Sequence, residues 1–294
     1  MKNTTQPLIV IAGPTASGKT SLSIKLAEEF DGEIICADSR TIYKGMDIGT
    51  AKPSNDEQSR VRHWGLDLVE PNERFTVAEF KAYANEKIAD IRRRGKVPFL
   101  VGGTGLYVDA IVYDYDFPER LADVSVRLQY ESMTLEQLHE YCGKNNIDLP
   151  ENYKNKRYVI NAIVRDNVRP MRRDVPIENC IIVGITTDKD ILHKRIDDRA
   201  EEIFTADVVQ EASRLAYAYG WENEAMTGNI YPLIRQYLAG ELSLEEAKDK
   251  FKTLDWRLAK RQLTWLRRHE HIRWLTLEDA YTYCARELAQ SNKS

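Results

Sequence analysis

Eight residues near the start of the chain, Gly13-Pro14-Thr15-Ala16-Ser17-Gly18-Lys19-Thr20, have the types and spacing G-x-x-x-x-G-K-[ST] of a phosphate cradle. Glycines let backbone N–H groups wrap an anion, a helix N-terminus adds positive potential, Lys19 supplies a point charge and Thr20 a hydroxyl for Mg²⁺. The pattern calls for a polyphosphate ligand and leaves open whether that ligand is a nucleotide. A carboxylate follows at the end of an apolar run, Ile34-Ile35-Cys36-Ala37-Asp38. At the C-terminal edge of a strand beside a phosphate loop, such an acid can act as a base or face a metal. Asp38 and Ser39 are also ordinary turn formers. The glycine-punctuated, donor-rich stretch after them, through Tyr43, Gly45, Asp47, Gly49 and Lys52, reads instead as a binding loop.

These residues need elements to hold them. Leu8 to Ala12 reads as a short buried strand, and the helix after the glycine loop runs through Leu22, Leu26 and Phe30. Further strand-like runs cover Glu33 to Ala37, Val97 to Val101 and Ile181 to Ile185, with a polar helical stretch from Val77 to Arg94 between the first two. Strand and helix in alternation predict a parallel sheet. Residues 114–176 look inserted, with a helical piece around Leu135 to Tyr141. Lys189 to Ser213 is charged and helical, and beyond residue 214 the chain reads as helical to its end.

Composition sets bounds. With 294 residues, 43% hydrophobic and 30% charged, the chain is long enough for a sizeable core and too apolar for wholesale disorder. Its 42 Lys and Arg against 46 Asp and Glu leave a net charge of −4, so a nucleic-acid partner must be met by a local basic surface. Cys36, Cys142, Cys180 and Cys284 are scattered without a C-x-x-C pair, which argues against a zinc site or a disulfide framework and for a reducing, cytoplasmic setting. The apolar run at Leu8 is too short for a signal segment or a membrane span, and a monomer without a membrane partner is expected.

Several strings together resemble the tRNA dimethylallyltransferase family: the Gly13 loop, Ala37-Asp38-Ser39-Arg40, Tyr43 to Pro53, Val101-Gly102-Gly103-Thr104-Gly105-Leu106-Tyr107 and Ala259-Lys260-Arg261-Gln262-Leu263-Thr264-Trp265. The resemblance spans residues 8–275 and is weakest in the middle. It implies an α/β fold: a P-loop NTPase-like parallel sheet flanked by helices, with an inserted small helical lobe and a helical C-terminal part. Residues 1–113 and 177–294 would form the catalytic core, and 114–176 a lobe contacting the anticodon stem-loop. The implied reaction moves a dimethylallyl group from dimethylallyl diphosphate to N6 of the adenosine 3′ of a tRNA anticodon, releasing pyrophosphate with Mg²⁺ present. Carried over residue by residue, Gly13 to Thr20 hold the diphosphate and Thr20 faces the metal. Asp38 is the general base, with Thr15 and Lys19 at the reacting diphosphate.

The tRNA contacts implied in the same way are Asp38, Ser39, Arg40, Thr41 and Thr104, then Arg157, Tyr158, Val159, Ile160 and Asn161 of the inserted region, then Lys260, Arg261, Gln262, Trp265 and Arg268. Independently of the family, residues 256–274 interleave Arg257, Lys260, Arg261, Arg267, Arg268 and Arg273 with Trp256, Trp265 and Trp274, a composition suited to RNA or to a solvated helix face. A second basic segment holds Lys154, Lys156, Arg157, Arg165, Arg169, Arg172 and Arg173. The chain departs from the family pattern at Thr41, where Gln is usual, at Trp64 and Asn161, and at Pro232, where a basic residue is expected near the diphosphate. Arg235 is the candidate substitute, and His63 reads as structural. An adenylate isopentenyltransferase acting on free AMP, ADP or ATP, a small-molecule kinase and a catalytically silent RNA-binding protein are the competing readings.

Overall fold

The computed structural model describes residues 6–117, 124–150, 153–165 and 171–291. They divide into two compact units, one formed by residues 1–112 with 175–294 and the other by 113–174.

The first unit is built on six parallel strands, β1 (Leu8–Ala12), β2 (Gly32–Cys36), β3 (His63–Trp64), β4 (Val97–Gly102), β5 (Cys180–Ile185) and β6 (Arg273–Leu275), in the order β3-β2-β4-β1-β5-β6. The central strands are covered on both faces, which is why they read as unbroken apolar runs. On one face α1 (Lys19–Glu29) and α12 (Leu277–Ser291) bring Leu22, Leu26, Ala280, Cys284 and Leu288 against Ile9, Ile11 and Val183. On the other, α3 (Val77–Arg93) and α4 (Gly105–Val112) join through Phe80 and Tyr107, whose rings stack with centroids 4.0 Å apart. A capping box between Thr76 and Glu79 starts α3 where the apolar period begins.

The C-terminal part is not helical throughout. Arg273–Leu275 joins the sheet beside β5, and the Trp274 ring occupies the space that a side chain on Gly184 would need. Two and three residues are too few for a period to show, so β3 and β6 leave no pattern in the sequence.

A second core in this unit surrounds Phe204, Leu215, Tyr231 and Phe251. The helices here are α8 (Lys189–Ile203), α9 (Ala206–Tyr219), α10 (Tyr231–Leu238) and α11 (Leu244–Leu266); Ile42, Tyr43 and Met46 of the loop after β2 belong to the same cluster. A short helix, α2 (Asn55–Arg60), follows that loop. The far end of α11 is pinned to α4. Trp265 packs where a side chain on Gly105 would lie, its Nε1 donates to Asp109 Oδ2 at 2.8 Å, and His269 Nε2 sits 3.0 Å from Asp109 Oδ1. Asp109 is only 2% exposed. Asp109→Ala takes a buried acceptor from the Trp265 indole and the His269 ring, and an unfolding midpoint in urea should report a loss of about 2–4 kcal/mol. A loss below about 0.5 kcal/mol, the size of an ordinary surface substitution, would show that this pin carries no weight.

In the second unit, α5 (Val124–Glu131), α6 (Leu135–Lys144) and α7 (Lys156–Arg165) close around Leu138, Cys142, Val159, Ile160 and Ile163. Asp116 and Met171 form an antiparallel bridge within the same unit. Among the described residues, no helix is long and apolar enough to cross a membrane.

Candidate active site

β1 ends at Ala12, and the chain turns through Ala16 at φ 58° and Gly18 at φ 87° before α1 starts at Lys19. The first-turn N–H groups of a helix have no partner within it, so this turn aims unpaired donors at whatever occupies the loop. Lys19 Nζ donates to the Pro14 carbonyl at 2.9 Å. Burial pulls the Lys19 ammonium down to about 8, against the nearby negative charge of Asp38, and the positive charge of Arg199 adds to the fall.

Three side chains from distant helices brace the loop. Gln262 Oε1 on α11 accepts the Thr15 N–H at 2.8 Å. From α8, Arg199 Nη1 donates to Thr15 Oγ1 at 2.7 Å and Arg195 Nη1 to the Ser17 carbonyl at 3.1 Å. Ser17 Oγ and Arg199 Nε are buried without a hydrogen-bond partner. Neither arginine belongs to a motif in the sequence. Their signal is an i,i+4 pair on the helix that follows β5, the strand hydrogen-bonded to β1.

The acid lies across the same cavity. Asp38 follows β2, and its Oδ1 accepts the Arg40 N–H at 2.8 Å. Thr104, in the turn after β4, accepts the Ser39 N–H at 3.1 Å through Oγ1 and donates its own N–H to the Ala37 carbonyl at 3.3 Å. Gly102 makes this approach possible, because a Cβ there would overlap the Ala37 carbonyl. Arg40 reaches away to the Glu224 carbonyl at 3.2 Å and Thr227 Oγ1 at 3.4 Å. Thr41 is buried, with Oγ1 3.5 Å from the Asp38 carbonyl.

Thr15, Lys19, Thr20, Asp38, Ser39, Arg40, Thr41, Thr104, Arg261 and Gln262 line one cavity of about 320 Å³, and Gly49, Thr50, Arg199, Tyr231, Asp255 and Leu258 are among the other residues of its wall. Gly13, Pro14, Ala16, Ser17 and Gly18 shape the loop without lining the cavity themselves. His63 lies on the wall with Nδ1 2.8 Å from the Val61 carbonyl, and burial lowers its pKa, which suits a neutral structural ring.

Other sequence-derived candidates sit elsewhere. Lys260 and Arg268 are exposed off the cavity, each over an indole, Trp256 at 5.3 Å and Trp265 at 5.3 Å. On α7, Tyr158 is exposed while Asn161 Oδ1 accepts from Arg127 Nη1 at 2.6 Å. Val159 and Ile160, 0% and 2% exposed, are core residues of their unit, and this burial removes them as direct RNA contacts. The Arg157 and Arg165 side chains and all of Arg169 lie outside the described residues. Arg235 does not reach the cavity: it pairs with Glu222 at 2.6 Å on the surface, whereas Arg195 and Arg199 are the guanidiniums that the fold brings to the loop, Arg199 lining the cavity itself.

Residues 41–269 match the IPP transferase family, and residues 6–69 match the isopentenyl transferase family. A tRNA dimethylallyltransferase of Desulforudis audaxviator is 41% identical over 288 residues, covering 93% of each chain. One from Acetivibrio thermocellus is 37% identical over 288 residues, covering 92% of each. The crystal structure of the full-length tRNA isopentenylpyrophosphate transferase from Bacillus halodurans superposes with a TM-score of 0.73 at 33% identity, covering 98% of both chains.

Proposed function

The chain belongs to the IPP transferase family, and from that premise we propose that it transfers a dimethylallyl group from dimethylallyl diphosphate to N6 of the adenosine 3′ of a tRNA anticodon, releasing pyrophosphate. The observation that carries this reading is that Thr15, Lys19 and Thr20 of the phosphate loop and Asp38 line a single cavity.

The Gly18, Lys19 and Thr20 N–H groups at the start of α1, with the Lys19 ammonium and Arg199, hold the diphosphate and stabilise the charge that grows on it as the allylic C–O bond breaks. N6 attacks the allylic carbon, the new C–N bond forms, and the amine proton passes to an Asp38 oxygen. Arg40 N–H fixes one Asp38 oxygen, so the carboxylate keeps its aim as the base enters. The Thr20 hydroxyl is a hard oxygen donor of the kind Mg²⁺ takes. Bound there with the diphosphate, Mg²⁺ would neutralise charge on the leaving group. Among the described residues no three His, Cys, Asp or Glu side chains cluster to hold a metal alone, so substrate oxygens would complete the shell.

The RNA side is served by exposed Arg257, Lys260, Arg261, Arg267 and Arg268 along α11 and just after it. Cations that ride on indoles suit phosphate contacts beside stacked bases. A stacked adenosine must be extruded before N6 can reach a base in a cavity.

The test is a mass-spectrometric transfer assay with Mg²⁺ and dimethylallyl diphosphate. An unmodified anticodon stem-loop carrying adenosines 3′ of the anticodon should gain one dimethylallyl group, and AMP and ATP should gain none. Product on the free nucleotides would transfer the chain to the adenylate class, and ATP turnover without prenyl transfer would make it a kinase.

A further inference from the structure

Behind the cavity wall lies a buried carboxylate that the proposed chemistry does not use. Glu211, on α9, is 6% exposed. Its Oε2 accepts the backbone N–H groups of Asp47 and Ile48, each at 2.8 Å, and its Oε1 accepts the Gly49 N–H at 2.9 Å and the Tyr231 hydroxyl at 2.9 Å. Three consecutive N–H groups converging on one anion form a nest of the kind that binds phosphates, filled here from within the chain.

One helical step along α9, Arg214 Nη2 donates to the Gly45 carbonyl at 2.8 Å, so an acid and a base on one helix hold both kinds of backbone group in the loop. Lys52, its side chain 3% exposed, gathers the Tyr43 carbonyl at 2.6 Å, Asp47 Oδ1 at 2.7 Å and Asp67 Oδ1 at 2.6 Å. A loop without a strand or helix must find such partners for its backbone. The segment it stabilises is functional surface, since Gly49, Thr50, Ala51 and Tyr231 all line the cavity. A Cβ on Gly49 would lie 2.7 Å from the Tyr231 ring and hydroxyl, so ring and loop are fitted to each other.

We infer that Glu211 is a positioning residue for the transfer reaction: through the 47–49 amides and Tyr231 it sets the cavity wall that the acceptor nucleoside meets. The inference rests on the prenyl-transfer reading. The phosphate loop has separate supports, Gln262, Arg195 and Arg199, so the two halves of the cavity can be perturbed independently.

Glu211→Gln keeps the shape and turns one acceptor into an N–H₂ that faces donors. Its kcat/KM for the stem-loop should fall about tenfold or more, because small displacements of a positioning wall are costly in rate, while pyrophosphate affinity stays within about twofold. Amide hydrogen exchange should accelerate across residues 43–52 and stay unchanged in β1 and α1. Glu211→Ala empties the nest, and formate should restore part of the lost turnover where chloride at equal ionic strength does not. Retained kcat/KM in Glu211→Gln, or a loss of pyrophosphate affinity in step with turnover, would overturn the inference. If the wild-type protein transfers no prenyl group, the functional reading falls; the exchange pattern then decides by itself whether Glu211 holds this wall, and unchanged exchange at 43–52 removes it.

Discussion

Asp38→Asn should lower single-turnover prenyl transfer by roughly 10²–10⁴-fold, the usual worth of a positioned general base. The substitution is nearly isosteric, and the amide oxygen can still accept the Arg40 N–H that orients the side chain at 2.8 Å. Fold, cavity shape and the Thr104 bridge to Ser39 are therefore preserved, and what is removed is the carboxylate's negative charge and with it the capacity to take a proton. Pyrophosphate and stem-loop affinities should change by less than about threefold, because they depend on the phosphate loop and on the exposed basic face. A parallel fall in affinity would move Asp38 from proton transfer to ligand binding. Turnover within about tenfold of wild type would require another base, and the cavity has one other carboxylate among its lining residues, the buried Asp255, whose Oδ1 is bonded to Asn229 at 3.1 Å.

How much of this site could be read in the sequence depends on how far apart its parts lie along the chain. The phosphate loop and Asp38 are legible because each follows directly on an apolar run that becomes a central strand, and the strand fixes where the next residue goes. Thr104 is legible for the same reason, at the end of β4. Arg199 and Glu211 are not legible. Each sits on a charged amphipathic helix where a solvated role is the commoner outcome, and only the packing of α8 on α11 and of α9 on the 45–49 loop turns them inward. Arg235 fails for the complementary reason: nearness in sequence to Pro232 suggested substitution, whereas the helix carries its guanidinium to Glu222 on the surface. Val159 and Ile160 illustrate a motif whose string spans both faces of a helix. One face builds the lobe's core and the other, with Tyr158, is available to a partner.

The second large effect is at Lys19, and it carries a sign that a purely structural residue would not produce. Lys19→Met should reduce transfer by roughly 10²–10³-fold, the scale for removing one donor aimed at charge that develops in the transition state. It should also weaken pyrophosphate binding by about 1.5–3 kcal/mol, the worth of a hydrogen bond to a charged group. In the empty site burial depresses the ammonium to about 8, so above that pH the diphosphate must recruit a proton as it binds. Wild-type affinity relative to Lys19→Met should therefore fall as pH rises past about 8, by up to tenfold per unit, and the ionisation of pyrophosphate itself cancels in the ratio. Folding stability moves the other way. The folded chain binds fewer protons than the unfolded one between the depressed value and the ordinary 10.5, so the empty protein gains stability over Lys19→Met as pH rises through that window. Isothermal calorimetry at several pH values and denaturant midpoints on the same pair of proteins measure the two slopes. Opposite slopes place the charge of Lys19 on the ligand, and parallel or flat slopes would mean that the ammonium serves the loop rather than the diphosphate.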